Sequence, residues 1–311
     1  DDVIGDCPTI NELQRYTAEL LGKEAAIFMP SGTMTNQIAL RVHCKPGDEF
    51  ICEAGCHVYN YEQGAFAQLS GLMARTVPGD NGVLHVDQLQ DLIMPDNEHF
   101  CVSKLVCLEN THNRGGGRVQ PYDNVEDICN WAHKNGLKTH LDGARLFNAV
   151  AASGISAATW AQHFDTVSIC FSKGLGAPVG SALVGPADMI AQARRHRKAF
   201  GGGMRQAGVI AAGALYAMQN NRERMTIDHE NAQLIAEAVR NTDGIRLLDD
   251  QVETNIVIFL VDDYVTTAAT LAGALGQKNV HCLALGPQRI RMVTHLDVST
   301  EQVEHACSML S

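Results

Sequence analysis

Short apolar runs alternate with longer amphipathic stretches along the first 225 residues, and this alternation limits the possible folds more than any other feature. A β–α alternation of this kind predicts a mostly parallel sheet with helices on both faces. The predicted strands cover residues 25–29, 49–53, 104–109, 137–142, 166–171 and 181–185. The predicted helices cover residues 33–43, 124–136, 145–154 and 203–224.

One connection breaks the alternation. The link between the predicted strands 166–171 and 181–185 is too short to hold a crossover helix. Parallel neighbours need such a crossover, whereas antiparallel neighbours do not. We therefore expect one antiparallel strand inside an otherwise parallel sheet.

The pattern changes near residue 225, where a second unit is expected to begin. A predicted helix (229–244) is followed by a strand (254–261), a helix (267–279), a strand (290–294) and a terminal helix. The sequence therefore predicts two domains within an α/β class: a large domain over residues 1–225 and a small α+β domain over residues 226–311.

Composition excludes several classes of protein. The 311 residues suffice for a large core. The net charge of −11, with its acidic residues scattered, argues against a nucleic-acid partner. No apolar run approaches the roughly 18–20 residues of a membrane span, so no membrane partner is expected.

The cysteines indicate the cellular compartment of the protein and whether it binds a metal. The ten cysteines lie at irregular positions, mostly in apolar runs, as in reduced cytoplasmic enzymes. Cys52, Cys56 and His57 have the only metal-like spacing, and no second pair of ligands matches it. We therefore predict a cytoplasmic protein without a metal site.

Two charged residues stand just after predicted strands. Asp142 ends strand 137–142, and Lys173 follows strand 166–171, one β–α–β unit further on. Ligands of open α/β sheets bind at the carboxyl ends of the strands, so both side chains should enter one crevice. A lysine in small, apolar surroundings can act as an amine nucleophile, and an aspartate can hold a pyridinium proton. Either residue alone is commonly a solvated charge; their joint placement predicts a pyridoxal phosphate (PLP) site.

A phosphate site is predicted between strand 25–29 and the next helix. Ser31, Gly32 and Thr33 stand there and offer backbone N–H groups and two hydroxyls. A serine or threonine that only caps the helix is at least as common. The segment becomes a candidate because PLP requires a phosphate site near its lysine.

Two histidines follow predicted strands. His57, after strand 49–53, suits either stacking on a planar cofactor or proton transfer, and equally a hydrogen-bonded core position. His112, just past strand 104–109, has glycine neighbours that favour a site over a core.

Two arginines are candidates for binding a carboxylate. Arg145 stands at a helix start, where a cation opposes the helix dipole, so a bidentate grip on a carboxylate would explain it. Arg291 alternates with the apolar residues of a strand, which is also the pattern of a solvent-facing charge.

Two motifs are highly specific. They are S-x-C-x-S-K-G-L-G-A-P-x-G at residues 168–180 and H-x-D-G-A-R-x-F-N-A at residues 140–149. With them, almost the whole chain resembles threonine aldolases of the low-specificity L-threonine type, in the PLP fold-type I (aspartate aminotransferase-like) superfamily. The further matching segments are GDCPTINELQ, GKEAAIFMPSGTMTNQIAL, LENTHNRGGG, RKAFGGGMRQAG and IRMVTHLD.

The resemblance implies roles residue by residue. Lys173 would form the Schiff base with PLP, His57 would stack on its ring, and Asp142 would pair with its nitrogen. Gly32 and Thr33, with Ser31 beside them, would bind the phosphate.

The resemblance also implies a substrate side and an assembly. Arg145 and Arg291 would grip the substrate carboxylate, with Arg145 also touching the cofactor, and His112 would face the β-hydroxyl. Lys198 and Arg205 would reach a neighbouring subunit's site, with Arg205 at its cofactor. A homotetramer, built as a dimer of dimers, is implied.

The implied activity is retro-aldol cleavage of L-threonine or L-allo-threonine to glycine and acetaldehyde, with related β-hydroxy amino acids as further substrates. The hydroxyl base would be His57, His112 or a water that they hold, with His112 or its water preferred. The family's N-terminal segment, which supplies a substrate-contacting serine, precedes the first residue here, so a truncated N-terminal segment is expected.

Three rival functions stay open. One is β-elimination or transamination on the same fold, and another is a non-catalytic scaffold. The third is a nicotinamide dehydrogenase that uses the glycine-rich run 174–180. Pro178 and the lack of a helix after that run disfavour the dehydrogenase.

Overall fold

The computed structural model describes residues 1–310, which form a seven-stranded sheet and a four-stranded sheet flanked by helices. In chain order the strands are β1 (Ala25–Met29), β2 (Glu49–Glu53), β3 (Met73–Val77), β4 (Ser103–Glu109), β5 (Lys138–Gly143), β6 (Thr166–Cys170), β7 (Ser181–Gly185), β8 (Ile245–Leu247), β9 (Ile256–Val261), β10 (Leu283–Ala284) and β11 (Arg289–Val293).

Within the same residues, no helix combines the length and the apolar character needed to span a membrane. A single 3-10 helix covers Val86–Leu89. The α-helices are α1 (Pro8–Leu20), α2 (Gly32–His43), α3 (His57–Asn60), α4 (Ala65–Ser70), α5 (Tyr122–Lys134), α6 (Leu146–Ser153), α7 (Ala157–Ala161), α8 (Ala187–Ala199), α9 (Gly208–Asn220), α10 (Met225–Arg240), α11 (Ala268–Gly276) and α12 (Thr300–Ser308).

The antiparallel strand predicted from the short connection is β7, and the prediction is confirmed. The large sheet has the order β1-β7-β6-β5-β4-β2-β3. β7 runs antiparallel to both β1 and β6, whereas β6, β5, β4, β2 and β3 are mutually parallel. The carboxyl ends of the parallel strands therefore share one edge, which is where α/β proteins bind ligands.

Local signals explain where several elements begin and end. Ser31 caps α2, because its side chain accepts a hydrogen bond from Met34 N at 3.2 Å. Gly154 ends α6 in the left-handed conformation, with φ +71°, which glycine adopts without a steric penalty. The predicted strands and helices around these residues agree with the structure to within about two residues at each end.

The helix predicted over residues 203–224 is wrong in its extent. α9 begins only at Gly208 and ends at Asn220. The residues before it form a turn, in which Gly201 has φ +80° and Arg205 O accepts a hydrogen bond from Asp2 N at 2.7 Å. An alanine-rich pattern cannot reveal that the chain turns here to contact its own N-terminal segment.

The small sheet has the order β10-β11-β9-β8, and all its pairs are antiparallel. A separate apolar cluster packs on it and includes Ala232, Phe259 and Ile290. Met225, at the start of α10, belongs to the core of the large sheet instead. α10 thus spans the change from one core to the other, and the domain boundary near residue 225 remains a prediction.

Candidate active site

A cavity of about 210 Å³ opens at the carboxyl ends of the parallel strands. It brings together residues from four separate predicted elements, including Lys173, Asp142 and His57. The lining residues are Pro30, Ser31, Gly32, Thr33, Thr35, Asn36, His57, Asp142, Ala144, Ser168, Ile169, Cys170, Ser172 and Lys173.

Asp142 is a buried carboxylate whose two oxygens both accept hydrogen bonds. Asn36 Nδ2 donates to Oδ2 at 2.7 Å, and Ala144 N donates to Oδ1 at 3.1 Å. Burial alone would raise the pKa of Asp142, but the positive charges of Lys173 and His57 and the two hydrogen bonds lower it overall. The side chain is therefore an anion that can hold a proton on a ring nitrogen.

Lys173 lies in a tight turn after β6. Gly176 N donates to Lys173 O at 2.8 Å, and no hydrogen bond or ion pair within residues 1–310 involves the Lys173 ammonium group. The side chain lines both the first cavity and a second one of about 380 Å³. Lys173 is thus an available amine between the two cavities.

The glycines after Lys173 make room for protein side chains. Gly176 has φ +77°, and a Cβ there would lie 2.6 Å from Leu296 Cδ2. A Cβ on Gly174 would lie 3.0 Å from Asn148 Oδ1. The two glycines therefore let the turn pack against Leu296 and α6.

The start of α2 provides a cradle for an anion. Ser31 Oγ is used as the helix cap, so the backbone N–H groups of Gly32 and Thr33 remain among the unpaired donors of the first turn. Ser181 Oγ is fully buried without a hydrogen-bond partner and would lie 3.6 Å from a Cβ on Gly32. The unpaired donors and this hydroxyl suit the oxygens of a phosphate group.

His57 reaches the cavity from the start of α3. Its backbone N donates to Glu109 Oε2 at 2.7 Å, and its Nδ1 lies 2.9 Å from Glu62 Oε1. The hydrogen bond to Glu62 raises the pKa of His57, and the charges of Asp142 and Glu109 add to this against the opposing effect of burial. The contact between Nδ1 and Glu62 thus fixes the orientation of the imidazole.

The two candidate arginines are close enough for their charges to interact, but Arg291 lines neither the first cavity nor the second one. Arg145 lines the second cavity, and neither its guanidinium nor that of Arg291 makes a hydrogen bond or ion pair within residues 1–310. Arg291 Nε is buried without a partner. Burial and the neighbouring charge of Arg145 lower the pKa of Arg291 to about 10, and burial lowers the pKa of Arg145. Two neighbouring guanidinium groups that make no hydrogen bond or ion pair among these residues suit the binding of a carboxylate.

His112 is not among the residues that line either cavity. The imidazole is buried, with Nε2 2.9 Å from Glu53 Oε2, and Gly115 N donates to Nδ1 at 3.1 Å. Burial lowers the pKa of His112, but the charges of Glu109 and Glu53 outweigh it and raise the pKa overall. Its approach to a substrate hydroxyl remains a prediction.

Lys198 and Arg205 are exposed and lie outside both cavities. Lys198 lines a separate surface cleft, and Arg205 forms an ion pair with Asp1. Their roles at a neighbouring subunit's site remain predictions.

Sequence reasoning missed a set of buried polar residues behind the cavity. Asn36 donates to both Asp142 and Glu62, and Gln37 Nε2 donates to Glu62 Oε2 at 2.6 Å. The only signal was the stretch CHVYNYEQG, in which Glu62 follows His57 by five residues. Nothing in that stretch distinguishes a buried carboxylate from an exposed one.

One group of possible metal ligands occurs within residues 1–310. His57, Glu62 and Asp142 place ligand atoms within 4.8 Å of one another. Asn36 already donates to both carboxylates, so the arrangement serves as a hydrogen-bond network. Cys52 and Cys56 do not join His57 in any such group among these residues.

Comparison with protein families gives one match. The model of the beta-eliminating lyase family matches residues 1–263. A low specificity L-threonine aldolase of Escherichia coli O157:H7 is 44% identical over 304 residues, which cover 97% of this chain and 88% of that protein. Low-specificity L-threonine aldolase 1 of Arabidopsis thaliana is 40% identical over 313 residues, which cover 99% and 87%.

Solved structures agree in fold. The threonine aldolase of Leishmania major superposes with a TM-score of 0.83 at 23% identity, covering 96% of this chain and 88% of that one. The serine palmitoyltransferase of Sphingomonas wittichii gives 0.76 at 18% identity, covering 97% and 75%. At these identities the likeness concerns the fold alone, and it confirms the expected α/β class of PLP fold type I.

Proposed function

The chain belongs to the beta-eliminating lyase family, and on that premise we propose that it is a PLP-dependent aldehyde-lyase. Its reaction is the cleavage of L-threonine or L-allo-threonine to glycine and acetaldehyde. The relatives named low-specificity L-threonine aldolase, at 40–44% identity over nearly the whole chain, support this substrate.

One observation carries the proposal. Lys173, with no ion pair inside the described chain, lines the same small cavity as the ionised carboxylate of Asp142 and the start of α2. An amine, a ring-nitrogen partner and a phosphate cradle are the three elements that PLP requires. The buried Ser181 hydroxyl without a partner supports the same fit.

The residues that would hold PLP follow from this geometry. Lys173 would bind its aldehyde carbon, Asp142 its ring nitrogen, and Gly32, Thr33 and Ser31 its phosphate, with His57 against its ring. When bound, PLP supplies an electron sink for the electron pair that remains at Cα as the Cα–Cβ bond breaks.

Arg145 and Arg291 would bind the substrate carboxylate. Both are partly buried, and neither guanidinium makes a hydrogen bond or ion pair within residues 1–310, so both are free to pair with a carboxylate. Their grip fixes the amino acid so that its β-carbon points to one side of the cavity, which is how positioning lowers a barrier.

The proton of the β-hydroxyl needs a base. Both imidazoles remain candidates, but the geometry favours His57, because its ring lines the cavity whereas His112 lies in a buried ion pair with Glu53. A positioned base contributes a rate factor of about 10²–10⁴.

We also propose that the chain assembles into a homotetramer. The exposed side chains of Lys198 and Arg205 are available to reach the site of a neighbouring subunit in a homotetramer. Light scattering of the cofactor-loaded protein should therefore give the mass of four chains.

The test is a product assay on the cofactor-loaded protein with L-threonine and L-allo-threonine. We expect glycine and acetaldehyde in equal amounts. Ammonia with a keto acid would instead indicate elimination or transamination, and the absence of turnover would overturn the proposed function.

A further inference from the structure

Glu62 is a buried carboxylate that stands behind the cavity without lining it. Its side chain is completely buried, yet three groups surround its two oxygens. Asn36 Nδ2 donates to Oε1 at 2.9 Å, Gln37 Nε2 donates to Oε2 at 2.6 Å, and His57 Nδ1 lies 2.9 Å from Oε1. Asn36 and Gln37 both donate to these oxygens, and donated hydrogen bonds favour the charged form of a carboxylate.

The contact with Glu62 therefore determines where the hydrogen of His57 lies. A charged carboxylate can only accept, so Nδ1 of the imidazole carries a hydrogen. The other nitrogen, Nε2, has no hydrogen-bond partner within residues 1–310, and the ring lines the cavity. In the neutral form Nε2 is consequently the nitrogen with the free lone pair.

Asn36 fixes Glu62 relative to the rest of the site. Its Nδ2 donates to Glu62 and, at 2.7 Å, to Asp142 Oδ2. Its Oδ1 lies 3.3 Å from His140 Nε2. One amide thus joins the carboxylate behind His57 to the carboxylate beside Lys173, and both are held in a single arrangement.

Four groups face His57 from the surrounding elements. These are Glu62 at its Nδ1, Asp142 from β5, Glu109 from β4, and the ring of Tyr61 at 5.6 Å between centroids. Among the residues that the structure describes, Glu62 alone makes a side-chain hydrogen bond to the imidazole. Asp142 and Glu109 act on it through their charges alone, although Glu109 also accepts from the backbone N of His57.

We propose that Glu62 is a positioning residue that orients His57, keeps the hydrogen on its Nδ1 and strengthens its Nε2 as the base for the β-hydroxyl proton. This rests on the proposed function, because it describes how the same site moves a proton. Carboxylates that orient metal-binding histidines typically contribute about 10- to 100-fold to activity, and we expect an effect of the same order here.

The variant Glu62→Gln removes the charge while keeping the shape. The Gln37 Oε1 atom is buried without a partner, so the Gln37 amide can rotate and accept from the new amide at position 62. A glutamine carbonyl can still accept from His57 Nδ1. Glu49→Gln is the matched control, because Glu49 is a buried carboxylate that contacts Arg75 and Ser103 away from the cavity.

The first readout is the pH dependence of turnover by the PLP-loaded enzyme. We expect Glu62→Gln to lower kcat by about 10- to 100-fold, with little change in KM and with the cofactor absorbance retained. Because Glu62 raises the pKa of His57, the acid limb of kcat/KM should move to lower pH. A profile that superimposes on that of the wild type, or the same change in Glu49→Gln, would overturn the proposal.

The second readout needs no turnover. In protein with labelled histidine, the NMR titration of His57, identified by its loss in a His57→Gln variant, should have a lower midpoint in Glu62→Gln than in the wild type. An unchanged midpoint would contradict the role of Glu62 even if the enzyme cleaves threonine. If the wild type does not cleave threonine, the proposed function fails, while the titration still decides whether Glu62 controls His57.

Discussion

The charged side chains of the site are hydrogen-bonded on one side and unpaired on the other. On the side of the small cavity, Asp142 and Glu62 have a donor at every carboxylate oxygen. In contrast, neither Arg145, which lines the second cavity, nor its neighbour Arg291 has a hydrogen-bond or ion-pair partner within the described chain. Burial, and then the like charge of Arg145, lower the pKa of Arg291.

This difference fits the time for which each ligand would remain bound, which is long for the cofactor and short for the substrate. A permanently bound cofactor permits a fully paired, rigid network, because the network never has to be rebuilt between turnovers. A substrate that enters and leaves needs cations that are unpaired until it arrives, since a resident counter-ion would compete with it. The unpaired cations cost stability, because buried charges without partners are unfavourable.

The largest expected effect lies on the paired side, in the variant His57→Phe. Phenylalanine keeps a planar ring against the cofactor but removes both nitrogens. We expect turnover of L-threonine to fall by about 10²–10⁴-fold, the usual contribution of a positioned base, while the cofactor absorbance remains. Steady-state kinetics of the PLP-loaded variant measures this.

The matched control is His112→Phe. This change leaves Glu53 without the imidazole that lies 2.9 Å away, so we expect mainly a lower free energy of unfolding, by about 3–5 kcal/mol. If instead His112→Phe loses turnover and His57→Phe keeps near wild-type rates, the β-hydroxyl base is His112 or its water.

A smaller effect is expected on the unpaired side, in the variant Arg291→Met. A hydrogen bond to a charged group contributes about 1.5–3 kcal/mol, so kcat/KM should fall by about 10- to 100-fold, mainly through KM. The free energy of unfolding without substrate should stay the same or rise, because a partly buried cation and its repulsion by Arg145 are removed. Kinetics and denaturant unfolding measure the two quantities.

Two control variants distinguish a specific loss of substrate binding from a general loss of stability. Arg289→Met makes the same change two residues earlier on β11 and should leave kcat/KM unaltered. Arg224→Met removes an arginine that is paired with the buried Asp228 at 2.7 Å and should lower stability. A loss of stability in Arg291→Met as large as that in Arg224→Met would remove the contrast between the two sides.

Much of the fold follows from the sequence because its signals are local. Strand-length apolar runs, glycine stops such as Gly154 and the short link before β7 each predict one feature of the structure. α1 and α8 lie outside the predicted elements, although Pro8 stands at the start of α1 and Pro186 just before α8. The start of α9 depends on contact with the N-terminal segment, and such a contact leaves no periodic pattern.

Some residues of the site could likewise be predicted from the sequence, and others could not. Lys173 and Asp142 could be found because strand ends of a parallel sheet share one edge, which makes residue position informative. Glu62 and Asn36 could not be found, since their roles depend on which side of α2 and of the loop after α3 faces the cavity. The unpaired state of Arg291 depends on how β11 lies relative to Arg145 at the start of α6, which the sequence pattern does not reveal.

The central claim is that Lys173 is the amine that holds the cofactor. The most direct measurement is borohydride reduction of the PLP-loaded protein, followed by peptide mass spectrometry and by a comparison with Lys173→Ala. We expect the cofactor label on Lys173 in the wild type, and loss of both visible absorbance and acetaldehyde release in Lys173→Ala. Label on another lysine, or a Lys173→Ala protein that stays yellow and still releases acetaldehyde from L-threonine, would contradict this claim.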